Sequence, residues 1–210
     1  LEKPELPIMI VQIGRLITQN PLMAKDWEAI REIQRQIVKK RPNLYLTSGI
    51  DLELDDVAHL STQSNQVLGM RLGEIALTHI YEKPGHANQP SPQSIELKQD
   101  SRSGSPYLHL HYKDVNGKLK AVGKPGAFEL RIGDQTPFAH VISHVALDPN
   151  DPAGLRLFLS AIPKVPAQLI CGPGINPYMN ITDSKDMPIP AFGPIEIDFK
   201  SLENNILILE

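Results

Sequence analysis

The residues of this chain best suited to chemistry are an aspartate and a histidine three positions apart, Asp56 and His59. A histidine that acts as a base needs a fixed tautomer, which an acidic partner on its Nδ1–H provides. With this spacing on a loop, a carboxylate can fold back onto its own histidine. The pair could therefore supply the base and its orienting carboxylate in a hydrolase. The alternative is that Asp56 caps a turn and His59 points into solvent.

A nucleophile for this pair is not evident in the sequence. The nearest hydroxyls belong to Ser48, Ser61 and Ser64. Ser61 and Ser64 lie too close to His59 along the chain to approach its free nitrogen from a separate element. None of the three serines has a glycine-flanked elbow of the kind that exposes a nucleophile. We therefore expect the attacking group to come from a different segment or polypeptide.

The elements that position the pair alternate between strand and helix. Residues 6–13 are almost continuously apolar, as in a parallel strand that is covered on both faces. A second short strand is predicted over residues 43–50 and a second helix over residues 64–81. The first helix is predicted over residues 23–39, where apolar side chains recur at three- and four-residue spacing: Trp27, Ile30, Ile33 or Gln34, and Ile37.

The composition changes near residue 83. Residues 84–94 are rich in Pro, Gly, Ser and Asn and are predicted to be a linker, after which short β segments alternate with turns. Asn116-Gly117 is a strong hairpin signal. The strands are expected over residues 95–97, 107–112, 119–122, 128–132, 138–147, 155–159, 169–170 and 195–199. The predicted organisation is an α/β piece (1–83), a linker (84–94) and a small antiparallel β domain (95–210).

The predicted α/β piece has a physical problem, because two strands and two helices do not make a self-sufficient parallel sheet. The strand over residues 8–13 would expose apolar side chains and unpaired backbone groups along an open edge. We therefore expect this strand to have neighbours from another polypeptide.

Composition excludes several classes of partner. The formal charge of −3 gives no basic field for nucleic acid or anionic lipid. No apolar run reaches the roughly 18 to 20 residues of a membrane span, and the first residues do not form a signal peptide. A chain that opens on Leu1 just before an apolar strand is expected to be a proteolytic product or a truncated form, so a removed signal would leave no trace. The single cysteine, Cys171, excludes an intrachain disulfide.

The Asp-His block and its surroundings resemble a known family of hydrolases. The segment around Asp55-Asp56-Val57-Ala58-His59-Leu60-Ser61, with Leu68-Gly69-Met70-Arg71-Leu72 after it, resembles the last catalytic block of SGNH-type hydrolases, and more narrowly of sialate O-acetylesterase-like carbohydrate esterases. Residues 6–14 and 27–34 are similar to the family's preceding segments. Residues 171–180 and 187–192 resemble its end.

The resemblance implies the C-terminal part of a flavodoxin-like α/β/α SGNH esterase domain followed by a β domain. It implies His59 as the catalytic base and Asp56 as its orienter, with no cofactor. The family's serine, and the glycine and asparagine of its oxyanion hole, would precede Leu6, where this sequence has none. The expected partners are therefore an N-terminal esterase chain carrying the serine and an acetylated carbohydrate. A secreted, periplasmic or lysosomal location is favoured by the resemblance alone.

Other polar residues have both functional and structural interpretations. Arg15 follows the first strand, where a parallel sheet presents ligand-contacting residues. It could bind a substrate carboxylate, or form a surface or interdomain salt bridge. Histidine pairs at 109/111 and 140/144 could bind a metal or simply face solvent on strands, and residues 148–152 could offer oxygens to calcium or form a turn. The aromatic side chains that could stack on sugars in the β half do not indicate a lectin surface: Tyr107, Tyr112, Tyr178 and Phe192.

Two further functions compete with the esterase. The first is a non-catalytic binding or scaffolding protein that keeps an esterase fold. The second is a metal-dependent hydrolase that uses the β-domain histidines. A serine-bearing segment encoded in frame just upstream would favour the esterase over the scaffold.

Overall fold

The N-terminal part of the chain is a two-stranded parallel sheet with two helices. The computed structural model describes residues 5–18, 20–133, 141–203 and 205–209. Strand β1 pairs in parallel with β2, with Ile8 opposite Leu44. The predicted strand–helix–strand–helix order is confirmed by these elements: β1 (Ile8–Gln12), a 3-10 turn (Pro21–Met23), α1 (Ala24–Lys39), β2 (Leu44–Ser48) and α2 (Thr62–His79).

The rest of the chain is mainly antiparallel β structure. One sheet has the order β12-β3-β4-β8-β7, another has β11-β9-β6, and β10 pairs with β5. The elements are β3 (Ser91–Gln99), β4 (Pro106–Lys113), β5 (Leu119–Ala121), β6 (Phe128–Arg131), β7 (Ile142–Leu147), β8 (Gly154–Leu159), β9 (Ala167–Cys171), β10 (Ile181–Asp183), β11 (Phe192–Ile197), α3 (Phe199–Leu202) and β12 (Leu207–Ile208).

The predicted strands are present, with three additions and one correction. Elements β10, α3 and β12 were not expected, and the part of the predicted 138–147 strand before residue 141 lies outside the described residues. The hairpin prediction at Asn116-Gly117 is wrong, because β5 pairs with β10 and not with β4. The Asn116 side chain bonds to Asn88 and Asp183 instead. These bonds direct the chain towards β10, with which β5 pairs.

The α/β part and the β part share contacts and a core. Ile50, just after β2, belongs to the same buried cluster as Leu108, Leu157 and Leu169 of the β sheets. The segment 84–94, expected to be a linker, contains the fully buried Ala87, and β3 already begins within it at Ser91. The mixture of α/β and antiparallel β structure is confirmed, while the flavodoxin-like α/β/α arrangement and the domain limits stay predictions. No helix in the described ranges is long and apolar enough to cross a membrane.

Helix α1 is oriented with its charged side inward. Glu28, Arg31 and Arg35 are buried, although they lie opposite the apolar stripe that the sequence shows. Of that stripe, Ile30, Ile33 and Ile37 are exposed, and Ile33 has 64% of its surface in contact with solvent. A helix normally buries its apolar stripe. The observed orientation therefore requires partners inside the protein for the buried charges. The apolar stripe is not covered by any of the described residues.

Arg31 has those partners. Its guanidinium donates to five backbone carbonyls, which belong to Ile13 (3.2 Å), Gly14 (2.7 Å), Gly172 (3.1 Å), Gly174 (2.6 Å) and Ile175 (3.2 Å). Burial lowers the pKa of Arg31 to about 10, which still leaves it charged at neutral pH. One side chain thus joins α1 to the segment after β1 and to the loop after β9.

Carboxylates next to Arg31 strengthen the same junction. Glu28 accepts two hydrogen bonds from Arg131 of β6, at 2.9 and 2.8 Å, and another from the backbone N–H of Gly174. Glu32 binds Arg35 at 2.9 and 2.6 Å and accepts from the backbone N–H of Gly193. A buried charge is tolerated only when it is paired and hydrogen-bonded in this way. The contacts fix α1 against the β part through polar groups.

The outer edge of β1 is open in the described structure. Strand β1 pairs with β2 on one side, and no described strand pairs with its other side. Leu6, Ile8 and Met9 at this edge are exposed. An open, apolar strand edge is a template for pairing with another chain. The open edge fits the expectation that this sheet has neighbours from another polypeptide, and that expectation stays a prediction.

Replacing Arg31 with Met should destabilise the chain strongly. Five carbonyls would lose a hydrogen-bond donor. Each of them that stays buried without a new donor destabilises the folded state by about 1–3 kcal/mol. We expect the free energy of unfolding in urea to fall by at least about 3 kcal/mol. The exposed Arg41→Met is the matched control and should change it by less than about 0.5 kcal/mol. A small effect of Arg31→Met would show that the junction does not depend on this guanidinium.

Candidate functional site

A short closed loop between β2 and α2 carries the Asp-His pair. Its two sides are held together by hydrogen bonds from the Asp55 N–H to the His59 carbonyl (2.8 Å) and from the Ser61 N–H to the Glu53 carbonyl (3.0 Å). Leu54 and Leu60 form an antiparallel bridge at its base. The loop therefore returns on itself within a few residues, which brings Asp56 back to His59.

Asp56 binds His59 with both of its oxygens. Oδ2 lies 2.8 Å from His59 Nδ1, and Oδ1 accepts the backbone N–H groups of Ala58 and His59, each at 2.8 Å. Because the carboxylate accepts the Nδ1 proton, Nε2 is left as the basic nitrogen of the neutral ring. The geometry predicted from the three-residue spacing is present. The catalytic role of the two residues stays a prediction.

Each member of the pair changes the pKa of the other. Hydrogen bonds from the backbone N–H groups of Ala58 and His59, and then from the His59 ring, hold the pKa of Asp56 far below its usual range. The hydrogen bond to Asp56, and then its negative charge, raise the pKa of His59 above its ordinary value. Asp56 thus stays ionised at any physiological pH, where it favours and orients an imidazolium.

The histidine ring faces solvent. The His59 side chain is 83% exposed, and that of Asp56 is 54% exposed. Within the part of the chain that the structure describes, no hydroxyl is hydrogen-bonded to His59. The pair is therefore formed at a surface, with His59 Nε2 accessible from solvent.

The nearby serines have structural roles, in agreement with the sequence argument against them. Ser61 is the N-cap of α2, and its Oγ accepts the Ser64 N–H at 3.1 Å and donates to Ser64 Oγ at 3.0 Å. Ser48 is fully buried at the end of β2. A capping hydroxyl of this kind satisfies a free N–H group of the first helical turn. Ser61 and Ser64 bond to each other and not to the ring of His59.

Arg15 lies beside the Asp-His loop. Its Nη2 donates to the Leu52 carbonyl at 2.7 Å, and its Nη1 donates to Asn176 Oδ1 at 3.4 Å. These partners are neutral, and among the described residues Arg15 forms no salt bridge, which was the structural alternative. The neighbouring Ile17 N–H donates to the Val57 carbonyl at 2.7 Å. The proposed contact of Arg15 with a substrate carboxylate stays a prediction.

A residue pair that the sequence did not indicate anchors the start of the loop. Arg71 of α2 binds both oxygens of Asp51, at 2.8 and 2.6 Å, and also donates to the Ser48 and Asp186 carbonyls. Both side chains are almost fully buried. Paired charges of this geometry fix the end of β2 against α2. The signal for this pair in the sequence is weak, since the two residues are 20 positions apart.

The other candidate ligands are engaged with each other. His109 and His111 do share one strand face, and both contact Asp151, at 3.2 and 2.6 Å. Asp148 and Asp151 accept backbone N–H groups in the predicted turn, and Asp148 also binds Arg156. His140 lies outside the described residues. In the described ranges, no group of three or more His, Cys, Asp or Glu side chains is arranged to hold a metal ion.

Comparison with solved structures shows a protein of the same fold. A solved structure of a novel carbohydrate acetylesterase from Xanthomonas citri has the same fold over 92% of this chain, with a TM-score of 0.66 at 17% sequence identity. The present chain spans 41% of that protein. The chain therefore has a carbohydrate-acetylesterase-like fold.

The sequence comparison matches the N-terminal part of the chain to a family. Residues 1–78 match the family described as carbohydrate esterase, sialic acid-specific acetylesterase. The matched segment contains β1, α1, β2 and the Asp56–His59 loop. No curated protein sequence matches the chain. The resemblance to the sialate O-acetylesterase-like carbohydrate esterases is thus confirmed.

The pairing of Asp56 and His59 can be tested by titrating the histidine ring by NMR. We expect the pKa of His59 to lie above the ordinary value of about 6.5. Asp56→Asn removes the charge and should lower that pKa, whereas Asp55→Asn, a neighbouring exposed carboxylate, should leave it in place. An unchanged His59 pKa in Asp56→Asn would mean that the two side chains do not interact in solution.

Proposed function

We propose that the chain is the C-terminal part of a serine carbohydrate O-acetylesterase, with the serine supplied by a partner N-terminal segment. The observation that carries the proposal is the Asp56–His59 hydrogen bond, which leaves a basic and solvent-accessible Nε2. The family match over residues 1–78 and the fold shared with a carbohydrate acetylesterase support this chemistry. No cofactor is part of the proposal.

The reaction would follow the general logic of a catalytic triad. The partner's serine hydroxyl attacks the carbonyl carbon of an acetyl ester while His59 Nε2 takes its proton. His59 then gives that proton to the sugar oxygen, which leaves as a hydroxyl and completes an acetyl-serine. A water molecule, deprotonated by the same nitrogen, releases acetate and restores the serine. Asp56 holds the ring in its tautomer and stabilises the imidazolium at both stages.

The surface next to the pair supports a partner polypeptide. The open edge of β1 can accept a further parallel strand, and Ile8 and Met9 would be covered by it. The exposed stripe Ile30, Ile33 and Ile37 on α1 offers a second apolar surface. Burial of such side chains is favourable by about 1.5–3 kcal/mol each. His59 is exposed as well, and in this proposal the segment that docks on these surfaces presents its serine to it.

Esterase activity should depend on both polypeptides and on His59. The chain and the polypeptide encoded immediately upstream of it, mixed or expressed together, should hydrolyse p-nitrophenyl acetate and acetylated sugars. His59→Ala should lower kcat by about 10⁴-fold or more, whereas the exposed His144→Ala should leave it unchanged. Because the base must be neutral and its pKa is raised, activity should increase as pH rises through that pKa.

Two results would contradict the esterase proposal. One is undiminished hydrolysis by His59→Ala in the assembled protein. The other is the absence of a serine-bearing segment in the encoding gene, which would favour the scaffolding protein.

The apolar stripe of α1 should be part of the contact with the N-terminal polypeptide. Ile33→Asp places a charge in the centre of that stripe and should weaken association at least about tenfold, which corresponds to about 1.4 kcal/mol. Val165→Asp is the matched control, because Val165 is a similarly exposed apolar residue of the β part, 52% against 64% for Ile33. Sedimentation of the mixed polypeptides measures the association. Equal association of Ile33→Asp and the parent chain would exclude this surface.

A further inference from the structure

A groove beside α2 is lined by both parts of the chain. Its volume is about 720 Å³, and its walls are α2 and the β-domain loops around residues 122 and 178–187. Val67 and Met70 come from α2, and Val122, Tyr178 and Met179 come from the loops. This size lies in the range of small-molecule binding sites. The groove is separate from the surface to which the partner polypeptide is assigned.

The walls of the groove combine apolar surface with a polar rim. Met70, Val122 and Tyr178 are largely exposed, although they are neighbours in one depression. Clustered exposed apolar side chains of this kind indicate a binding surface. Thr182, Lys185 and Asp186 add hydroxyl, amino and carboxylate groups at the rim. A ligand that fits must therefore present both an apolar face and several hydrogen-bonding groups, as the C–H face and the hydroxyls of a pyranose ring do.

One aromatic residue in the groove is free to contact such a ring. Of the four aromatic side chains considered from the sequence, Tyr107, Tyr112 and Phe192 are buried, whereas Tyr178 is 65% exposed. Its ring lines the groove, and an aromatic face of this type packs well against C–H groups. Of these four residues, only Tyr178 is therefore a candidate for stacking on a sugar, because the other three belong to the core.

The wall that carries Tyr178 is held in place by a single amide. Asn180 Nδ2 donates to the Val122 carbonyl at 2.7 Å, to the Lys124 carbonyl at 2.9 Å and to Tyr178 Oη at 3.2 Å, while its Oδ1 accepts the Gly126 N–H at 3.0 Å. The loops that present Val122 and Tyr178 are therefore joined before any ligand binds. Preorganisation of this kind reduces the entropy lost on binding.

The groove is also connected rigidly to the Asp-His loop. Arg71 joins Asp51, at the start of that loop, to the Asp186 carbonyl at the rim of the groove. Met70 lies eight residues after the first residue of α2, Thr62, and therefore about 12 Å along the helix axis from it. A ligand that extends along α2 could occupy the groove and still reach His59.

We propose that this groove is a carbohydrate subsite, which binds a sugar ring of the acetylated glycan with its C–H face against Tyr178. The inference rests on the proposed esterase function for the identity of the glycan, but the binding itself does not need the partner polypeptide. The subsite would retain oligosaccharides in preference to small acetyl esters, because only the former extend beyond the reacting acetyl group.

The methionines provide a direct test in the isolated chain. Of the five methionines, Met70, Met179 and Met187 line the groove, whereas Met9 and Met23 lie in β1 and in the turn before α1. With ¹³C-methyl-labelled methionine, titration with a partly O-acetylated xylo-oligosaccharide, and separately with N-acetylneuraminic acid, should shift the three groove methyl signals saturably for at least one probe. Met9 and Met23 should not shift, and glycerol should have no effect.

Tyr178→Ala should weaken that binding at least about tenfold, while Tyr81→Ala, which removes a tyrosine of nearly equal exposure (64%) beyond the end of α2, should not. Backbone amide spectra of both variants check that the chain stays folded. The inference is overturned if no probe shifts the groove methyls, if all five methyls shift alike, or if Tyr178→Ala binds as the parent chain does. None of these results depends on ester hydrolysis, so they are distinguishable from a failure of the esterase proposal.

In the assembled esterase, the same variant should raise KM for the acetylated oligosaccharide about tenfold and leave hydrolysis of p-nitrophenyl acetate unchanged. Equal loss with both substrates would overturn the subsite, because it would indicate a general defect rather than lost contact with the glycan.

Discussion

The arrangement of this protein depends on the guanidinium of Arg31. It donates to carbonyls from the segment after β1 and from the loop after β9, and so holds two distant parts of the chain on the inner face of α1. An unpaired charge at this depth would be strongly unfavourable, so the carbonyls must be supplied together or the helix cannot lie there. The charged side of α1 is consequently the inner one. Its apolar stripe is left outside and exposed to solvent.

The candidate site is local by contrast. Asp56 and His59 need only the loop between β2 and α2, and the closing hydrogen bonds of that loop come from its own backbone. This explains how a base and its orienting carboxylate can be fully formed in a chain whose described residues provide no hydroxyl partner for them. Their setting depends on Arg71, which fixes Asp51 and joins the loop to the β part.

The sequence was sufficient for features that arise from near neighbours. The order of β1, α1, β2 and α2 follows from strong apolar patterns, and the Asp56–His59 contact follows from a spacing of three. The orientation of α1 could not be predicted, because Arg131, which pairs with Glu28, and the Gly172 carbonyl, which accepts from Arg31, are more than 100 residues away. The hairpin expected at Asn116 is absent because the Asn116 side chain binds Asn88 and Asp183, which are 28 and 67 residues away. The sequence does not distinguish Tyr178 from Tyr107, Tyr112 and Phe192. Only the fold shows that Tyr178 is exposed and that the other three are buried.

The long separation between Arg31 and its acceptors also determines when the N-terminal part can be completed during translation. The carbonyls of Gly172 and Ile175 emerge from the ribosome 141 to 144 residues after the arginine. Until then, Arg31 has only the Ile13 and Gly14 carbonyls among its five acceptors, and the isoleucines on the other side of α1 are exposed. Contacts between such distant residues form slowly, and the exposed surface is prone to aggregation in the meantime. A polypeptide synthesised earlier, and already folded nearby, would be well placed to shield the isoleucines while the remainder of the chain is made.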